Sequence, residues 1–195
     1  MGKLYGTASL ESRGALCTCR RGFLKVCALG GLYSIALPVL GKMTGSSERT
    51  LSFFHTHTGE RLHTTFWADG RYEASELTAI NRLLRDHYSG QVHTMDPALL
   101  NILYEIKMKL GTAAPFHVIS GYRSGQTNRM LQARGGGVAK RSLHMEGQAI
   151  DIRIPGVDLR NLRRAAVSLR AGGVGMYSRS QFVHVDTGRV RVWGT

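Results

Sequence analysis

The 195-residue chain is 43% hydrophobic and 20% charged, with 26 Lys and Arg against 13 Asp and Glu, a net charge of +13. That length holds about one domain, and the apolar share is enough for a core, which excludes wholesale disorder and a polytopic membrane bundle. The basic excess favours a polyanionic partner, and charge alone does not choose among nucleic acid, anionic lipid and anionic cell-wall polymer.

Residues 1–41 read as a leader. They carry a net charge of +4, leaving +9 on the rest, and they hold all three cysteines, Cys17, Cys19 and Cys27. No disulfide framework or cysteine zinc site is therefore expected downstream. Cys19-Arg20-Arg21-Gly22-Phe23-Leu24-Lys25 precedes an uncharged apolar run, Val26 to Leu40, interrupted by glycines and Pro38. This run is shorter than the roughly 20 residues of a comfortable membrane span. Paired arginines before a weakly hydrophobic stretch resemble a twin-arginine export signal. No small-x-small cleavage site is clear near Leu40, so the leader is read as a signal that can also stay as an inner-membrane anchor. Residues 42–50 are polar and read as a linker, and residues 51–195 as the folded domain.

A hairpin is expected first in the domain, with strands at 51–55 and 61–67 around a Thr-Gly turn. Leu77, Ile80, Leu83 and Leu84 then recur at helical spacing, with Ser75 as the expected cap. Asp96-Pro97 opens a second helix, with an N-cap side chain followed by proline at the first helical position, and Gly111 closes it. A strand over 116–120 leads into a third helix over 127–134. The glycine-rich basic segment 135–142 lacks the Gly-Lys-Ser/Thr frame of a phosphate loop and reads as a mobile loop. A strand over 148–154 and a helix over 158–171, closed by Gly172-Gly173, precede strands at 174–177, 182–187 and 190–193. The pattern predicts an α+β domain with a small, mainly antiparallel sheet and flanking helices.

Two of the eight histidines stand in a context that asks for chemistry. His144 lies on the approach to strand 148–154, and His184 lies within strand 182–187. Side chains alternate along a strand. Ile150, Ile152, Val183 and Val185 can therefore face a core, while Asp151 and His184 share the other face. Two imidazoles and a carboxylate suit Zn²⁺ with a fourth position left for water, a set that activates water for amide hydrolysis. Spacing alone leaves the alternative of hydrogen-bonding residues at a strand edge. His55, His57 and His63 form a rival cluster without an evident carboxylate partner.

Three ordered blocks then carry a resemblance: Ser120-Gly121-Tyr122-Arg123-Ser124, Ser142-x-His144-x-x-Gly147-x-Ala149-x-Asp151, and His184-x-Asp186. Together they resemble the zinc murein peptidases related to D-Ala-D-Ala carboxypeptidases and the VanX dipeptidase, and more closely the MepK-type subgroup. The likeness extends through His57-Thr58-Gly59-Glu60, Gly137-Val138-Ala139-Lys140 and Arg170-Ala171-Gly172-Gly173-Val174-Gly175. It implies a hedgehog/DD-peptidase α+β fold and a periplasmic endopeptidase that cuts peptide cross-links of peptidoglycan at links involving meso-diaminopimelate. One Zn²⁺ per chain would be held by His144, Asp151 and His184. Arg123 matches the arginine that steadies the carbonyl as it becomes an oxyanion; its alternative is a salt bridge beside a turn. Ser142 either binds substrate or shapes its loop.

The catalytic base departs from the pattern. Relatives place a His or Glu two or three residues before the last zinc ligand, where this chain has Phe182 and Gln181. Asp186 is the first candidate, with a role in orienting a zinc-bound imidazole as its alternative, and Glu146 is the second. Peptidoglycan stem peptides and the twin-arginine machinery are the partners implied. Other readings are a D-alanyl-D-alanine carboxypeptidase or D,D-endopeptidase with the same zinc, and a non-catalytic wall-binding domain. Nucleic acid is not expected, because no base-reading motif is present.

Overall fold

The computed structural model describes residues 48–135 and 138–194. The leader reading, most of the linker and part of the glycine-rich loop lie outside these residues. Strand β1, Arg49–His55, begins within the segment read as linker and forms an antiparallel hairpin with β2, Arg61–Ala68. A short β3, Arg71–Tyr72, extends that edge and was not foreseen.

Helix α1, Ala74–Leu83, starts earlier than a Ser75 cap would allow. Its N-cap is Glu73, which makes no side-chain cap bond, and the helix start is instead tied to β2 by Glu73 N donating to Phe66 O. Helix α2, Pro97–Leu110, has the expected ends: the Asp96 carboxylate accepts from Ala98 N at 2.9 Å, and Gly111 closes it in the left-handed conformation with φ of 59°. Strand β4, Phe116–Ser120, is followed by helix α3, Gly125–Ala133. The Ser124 hydroxyl accepts from Thr127 N, so α3 begins two residues before the expected Thr127.

A short 3-10 helix, Leu143–Glu146, leads into β5, Ala149–Arg153, and helix α4, Leu159–Leu169. Asp158 caps α4 by accepting from the amides of Arg160 and Asn161. The helix ends before Gly172, with Arg170 in the left-handed region, so Gly172 and Gly173 have another use, described below. Strands β6, Gly173–Tyr177, β7, Phe182–Asp186, and β8, Arg191–Trp193, complete the chain.

The eight strands of the described residues form one sheet in the order β3-β2-β1-β4-β5-β7-β6-β8. It is larger than expected and mixed: β1 pairs with β4 and β6 with β8 in parallel, while the other pairs are antiparallel. Leu51, Phe53, Phe66, Val118, Ile150, Ile152, Val183 and Val185 are buried in a common core with Ile80 of α1, Leu99, Leu103 and Ile106 of α2, and Leu162 of α4. Each such side chain contributes about 1.5–3 kcal/mol when fully buried. The strict alternation of β5 and β7 turns Asp151 and His184 to the opposite face. Among the described residues no helix is long and apolar enough to cross a membrane.

Candidate active site

The site grows from the register of the sheet. Asp151 on β5 stands opposite His184 on β7, and His184 stands opposite Gly175 on β6. Gly175 in turn pairs with Trp193 on β8, and Ser120 on β4 pairs with Asp151. One row across five strands therefore reads Ser120, Asp151, His184, Gly175, Trp193.

His144 joins the row from the 3-10 helix. Gly147, at φ of 67°, allows the sharp turn from that helix into β5 and packs so closely that a Cβ would lie 2.3 Å from Thr94 O. His144, Asp151 and His184 are all buried, with ligand atoms within 4.8 Å of one another. His144 Nε2 lies 3.2 Å from His184 Nδ1 and 3.3 Å from Asp151 Oδ2, and His184 Nδ1 lies 2.8 Å from Asp151 Oδ1.

The outer nitrogens of both rings are engaged. His144 Nδ1 lies 2.7 Å from Gly121 O, which can only accept, so that nitrogen carries a proton and Nε2 presents its lone pair inward. His184 Nε2 lies 3.0 Å from Asp186 Oδ2, which orients Nδ1 toward the same centre. Two imidazole nitrogens and a carboxylate converging on one point suit a zinc-sized cation, and partners on the outer nitrogens are what metal-ligating histidines commonly have. Burial raises the Asp151 pKa, but the charges and hydrogen bonds of His144 and His184 outweigh it and hold the carboxyl well below its usual range. Burial would lower the His184 pKa, whereas Asp151 and Asp186 raise it to about 9. An imidazolium and a divalent cation are alternative partners for the same carboxylates.

Asp186 is fully buried and saturated. Its carboxylate accepts from Gly173 N at 3.0 Å, Gly188 N at 2.9 Å and both terminal nitrogens of Arg191, besides contacting His184. This explains the glycine pair after α4. A Cβ on Gly172 would lie 1.7 Å from Asp186 O, and one on Gly173 would lie 2.5 Å from Asp186 Oδ2.

The Ser120–Ser124 block has an equally local logic. Gly121 packs on the backbone of Leu84, where a Cβ would come within 2.4 Å of Leu84 O. Arg123 N donates to His144 O, and its Nη2 lies 3.3 Å from Ser120 Oγ and 3.7 Å from Asp151 Oδ2. Ser124 N donates to Asp86, whose carboxylate also accepts from Tyr88 N. The guanidinium thus sits beside His144 and Asp151.

A cleft opens over the centre in two lobes. The larger, about 380 Å³, is lined by Arg141, Ser142, Tyr177 and Trp193 as well as His144, Asp151 and His184. The smaller, about 200 Å³, is walled by His57, His87, Tyr88 and Tyr122. Arg123, Asp151 and Phe182 line both.

Residues 43–193 match the family model of the peptidoglycan L,D-endopeptidase MepK. The chain belongs to this family. It is 44% identical over 174 residues to peptidoglycan L,D-endopeptidase MepK of Escherichia coli strain K12, covering 87% of this chain and 95% of that one. A MepK-type protein of Haemophilus influenzae is 43% identical over 164 residues, covering 84% of this chain and 88% of the other. Among solved structures, the L-Ala D-Glu endopeptidase ChiX of Serratia marcescens aligns with a TM-score of 0.32 at 20% identity, over 39% of this chain and 62% of that chain.

In this MepK-family chain the residues singled out from sequence fall into two groups. His144, Asp151, His184, Arg123 and Ser142 all line the larger lobe, with Asp186 directly behind His184. Glu146 is exposed and lines neither lobe. The rival histidine cluster does not assemble: His63 pairs with Ser52 at 2.8 Å, while His57 stacks on His87. Among the described residues only His144, Asp151 and His184 form a group able to hold a metal. The roles of His87 and Trp193 in lining the cleft were missed. For Trp193 the available signal was Gly175, a residue without a side chain in the middle of a strand, which marks a close approach.

Proposed function

We propose that the chain is an exported zinc endopeptidase that hydrolyses peptide cross-links of peptidoglycan at links involving meso-diaminopimelate. The observation that carries this reading is the convergence of His144 Nε2, His184 Nδ1 and the Asp151 carboxylate on one point at the floor of a cleft, with Arg123 beside it. Membership of the MepK family supports the substrate. The mixed α+β sheet is compatible with the hedgehog/DD-peptidase fold, which we adopt as the working label.

His144, Asp151 and His184 would hold one zinc ion per chain. When bound, zinc supplies Lewis-acid chemistry, polarising the scissile carbonyl and acidifying the attacking water. Arg123 offers a permanently charged donor to the carbonyl oxygen as negative charge develops. Ser142, on the rim of the larger lobe, binds the peptide backbone. Asp186 we assign to orienting His184 rather than to proton transfer, because every oxygen lone pair directed at a neighbour already accepts a hydrogen bond and the carboxylate is shielded from solvent. Residues 1–41 serve as the twin-arginine signal, retained as an inner-membrane anchor where uncleaved; a short polar linker joins it to the zinc peptidase domain in the periplasm, whose first strand begins at Arg49.

The test uses purified full-length protein, zinc-loaded or chelated, incubated with muropeptide dimers of defined 3-3 or 4-3 linkage and analysed by mass spectrometry. Zinc-dependent loss of the 3-3 dimer is expected. Loss of the 4-3 dimer alone would make it a D,D-endopeptidase, and binding without cleavage would make it a wall-binding domain. Replacing Arg20-Arg21 by Lys-Lys should block export, and unchanged export would overturn the twin-arginine assignment.

A further inference from the structure

The smaller lobe of the cleft has a wall that the zinc chemistry does not use. The rings of His57 and His87 lie with centroids 4.1 Å apart and planes inclined by only 1°. Two imidazolium cations would repel strongly at that separation, so the stack carries at most one positive charge.

Both rings are positioned by separate devices. His57 follows β1, and its backbone is held by His55 Nδ1, which accepts from His57 N and Thr58 N at 3.3 and 3.4 Å. His87 sits on the turn after α1, where Asp86 accepts from the amides of Tyr88, Ser89 and Ser124. The bond from Ser124 ties the His87 turn to the block that carries Arg123.

This lobe offers donors to a ligand: the Arg123 guanidinium and at least one N–H on each imidazole. Arg123 can only donate. Asp86 also lines the lobe, but its oxygens are taken by those backbone amides and by the Thr127 and Ser124 hydroxyls. Asp151 belongs to the ligand triad. Burial, the neighbouring His57 and Arg123 lower the His87 pKa against the raising effect of Asp86, and each imidazole carries at least one N–H. A volume of about 200 Å³ admits the end of an amino-acid side chain and is too small for a disaccharide.

We propose that His57, His87 and Arg123 form a subsite for a free carboxylate on the substrate residue adjoining the scissile bond. The proposal rests on the endopeptidase reading above and adds to it a selectivity: stems whose carboxylate is free are preferred over stems in which it is amidated. Such a carboxylate is what a meso-diaminopimelate residue presents beside its peptide link. In the amide the negative charge is lost and one acceptor oxygen becomes an NH₂ donor, which the donor-only Arg123 guanidinium cannot match.

The experiment compares a cross-linked dimer carrying the free carboxylate with its amidated counterpart, using full-length zinc-loaded protein. Wild type should favour the acid by about tenfold or more in kcat/KM, as loss of one buried polar match predicts. His87→Phe and His57→Phe keep the aromatic stack and remove the donors. Each should reduce that preference to about twofold or less, with the loss falling on KM rather than kcat, while His87→Gln should restore part of it. Equal treatment of acid and amide by wild type, or undiminished preference in both Phe variants, would overturn the proposal. Calorimetric titration of the wild type with both dimers separates the two readings. Tighter binding of the acid without cleavage would reject the endopeptidase and keep the subsite, whereas equal binding would reject the subsite whether or not cleavage occurs.

Discussion

Asp151 and His184 face each other across an antiparallel strand pair, with Asp151 Oδ1 2.8 Å from His184 Nδ1. Their separation is therefore set by strand spacing rather than by a loop, and His144 is the only member of the triad brought in by a turn. Asp151→Asn tests the charge of this pair at constant volume. An amide keeps one acceptor oxygen but loses the charge that offsets a divalent cation. The expected outcome is a fall in bound zinc of at least about tenfold, read by elemental analysis after gel filtration, with cleavage near background. Zinc retained at one per chain would remove Asp151 from the ligand set.

Gly175 and Trp193 continue the same row. A Cβ on Gly175 would lie 2.4 Å from the indole, so the ring rests directly on the glycine. The indole centroid is 5.3 Å from that of His184, its Nε1 donates to Tyr177 Oη at 3.1 Å, and the Arg191 guanidinium lies over its face. Trp193 therefore walls His184 on the side away from Asp151. Gly175→Ala should displace the indole, reduce kcat by about tenfold through loss of positioning, leave bound zinc near one per chain, and red-shift tryptophan emission. Unchanged emission and turnover would show that the contact does not matter.

Much of this site is legible in the sequence because it rests on rules of period two. The alternation of Ile150, Ile152, Val183 and Val185 fixes which face Asp151 and His184 share, and a register between neighbouring strands does the rest. The ends of α2 are equally local, since Asp96-Pro97 and Gly111 act within a few residues. What escapes a sequence reading is set by distant partners. Ser75 looks like a cap until Glu73 is tied to Phe66, and Gly172-Gly173 looks like a helix stop until Asp186 is seen above it. His57 has no visible partner until the chain returns with His87 some thirty residues later, and His63, which is nearer in sequence, lies with Ser52 instead. The parallel β6–β8 pairing that delivers Trp193 has no local mark beyond a strand glycine.

Asp186→Asn separates orientation from proton transfer. Arg191 and the amides of Gly173 and Gly188 share this carboxylate with His184, so an uncharged amide with one NH₂ donor weakens its hold on His184 and on Arg191 together. Zinc affinity should fall about 10- to 100-fold, as for other partners of metal-ligating histidines. Saturating zinc should then restore most of the turnover. Turnover that stays lost at full zinc occupancy would return Asp186 to the role of base.

His55 gives the domain a stability that depends on pH. The ring is fully buried, its Nδ1 accepts from the His57 and Thr58 amides, and among the described residues Nε2 has no hydrogen-bond partner. Burial foremost, then the charges of His87, His57 and Arg85, lower its pKa to about 4 against the raising effect of Glu60. The unfolded chain titrates this ring near 6.5. Between pH 4 and 6.5 the unfolded state thus binds more protons, so stability rises with pH across that window and is complete above it. His55→Asn keeps an acceptor for the two amides and does not titrate. Urea denaturation at pH 4.5, 5.5 and 7 should show wild type losing about 2 kcal/mol more than the variant on acidification. Parallel losses in the two proteins would mean that His55 is not the titrating group. Because His55 holds the backbone of His57, the same acidification should loosen the stacked wall of the smaller lobe.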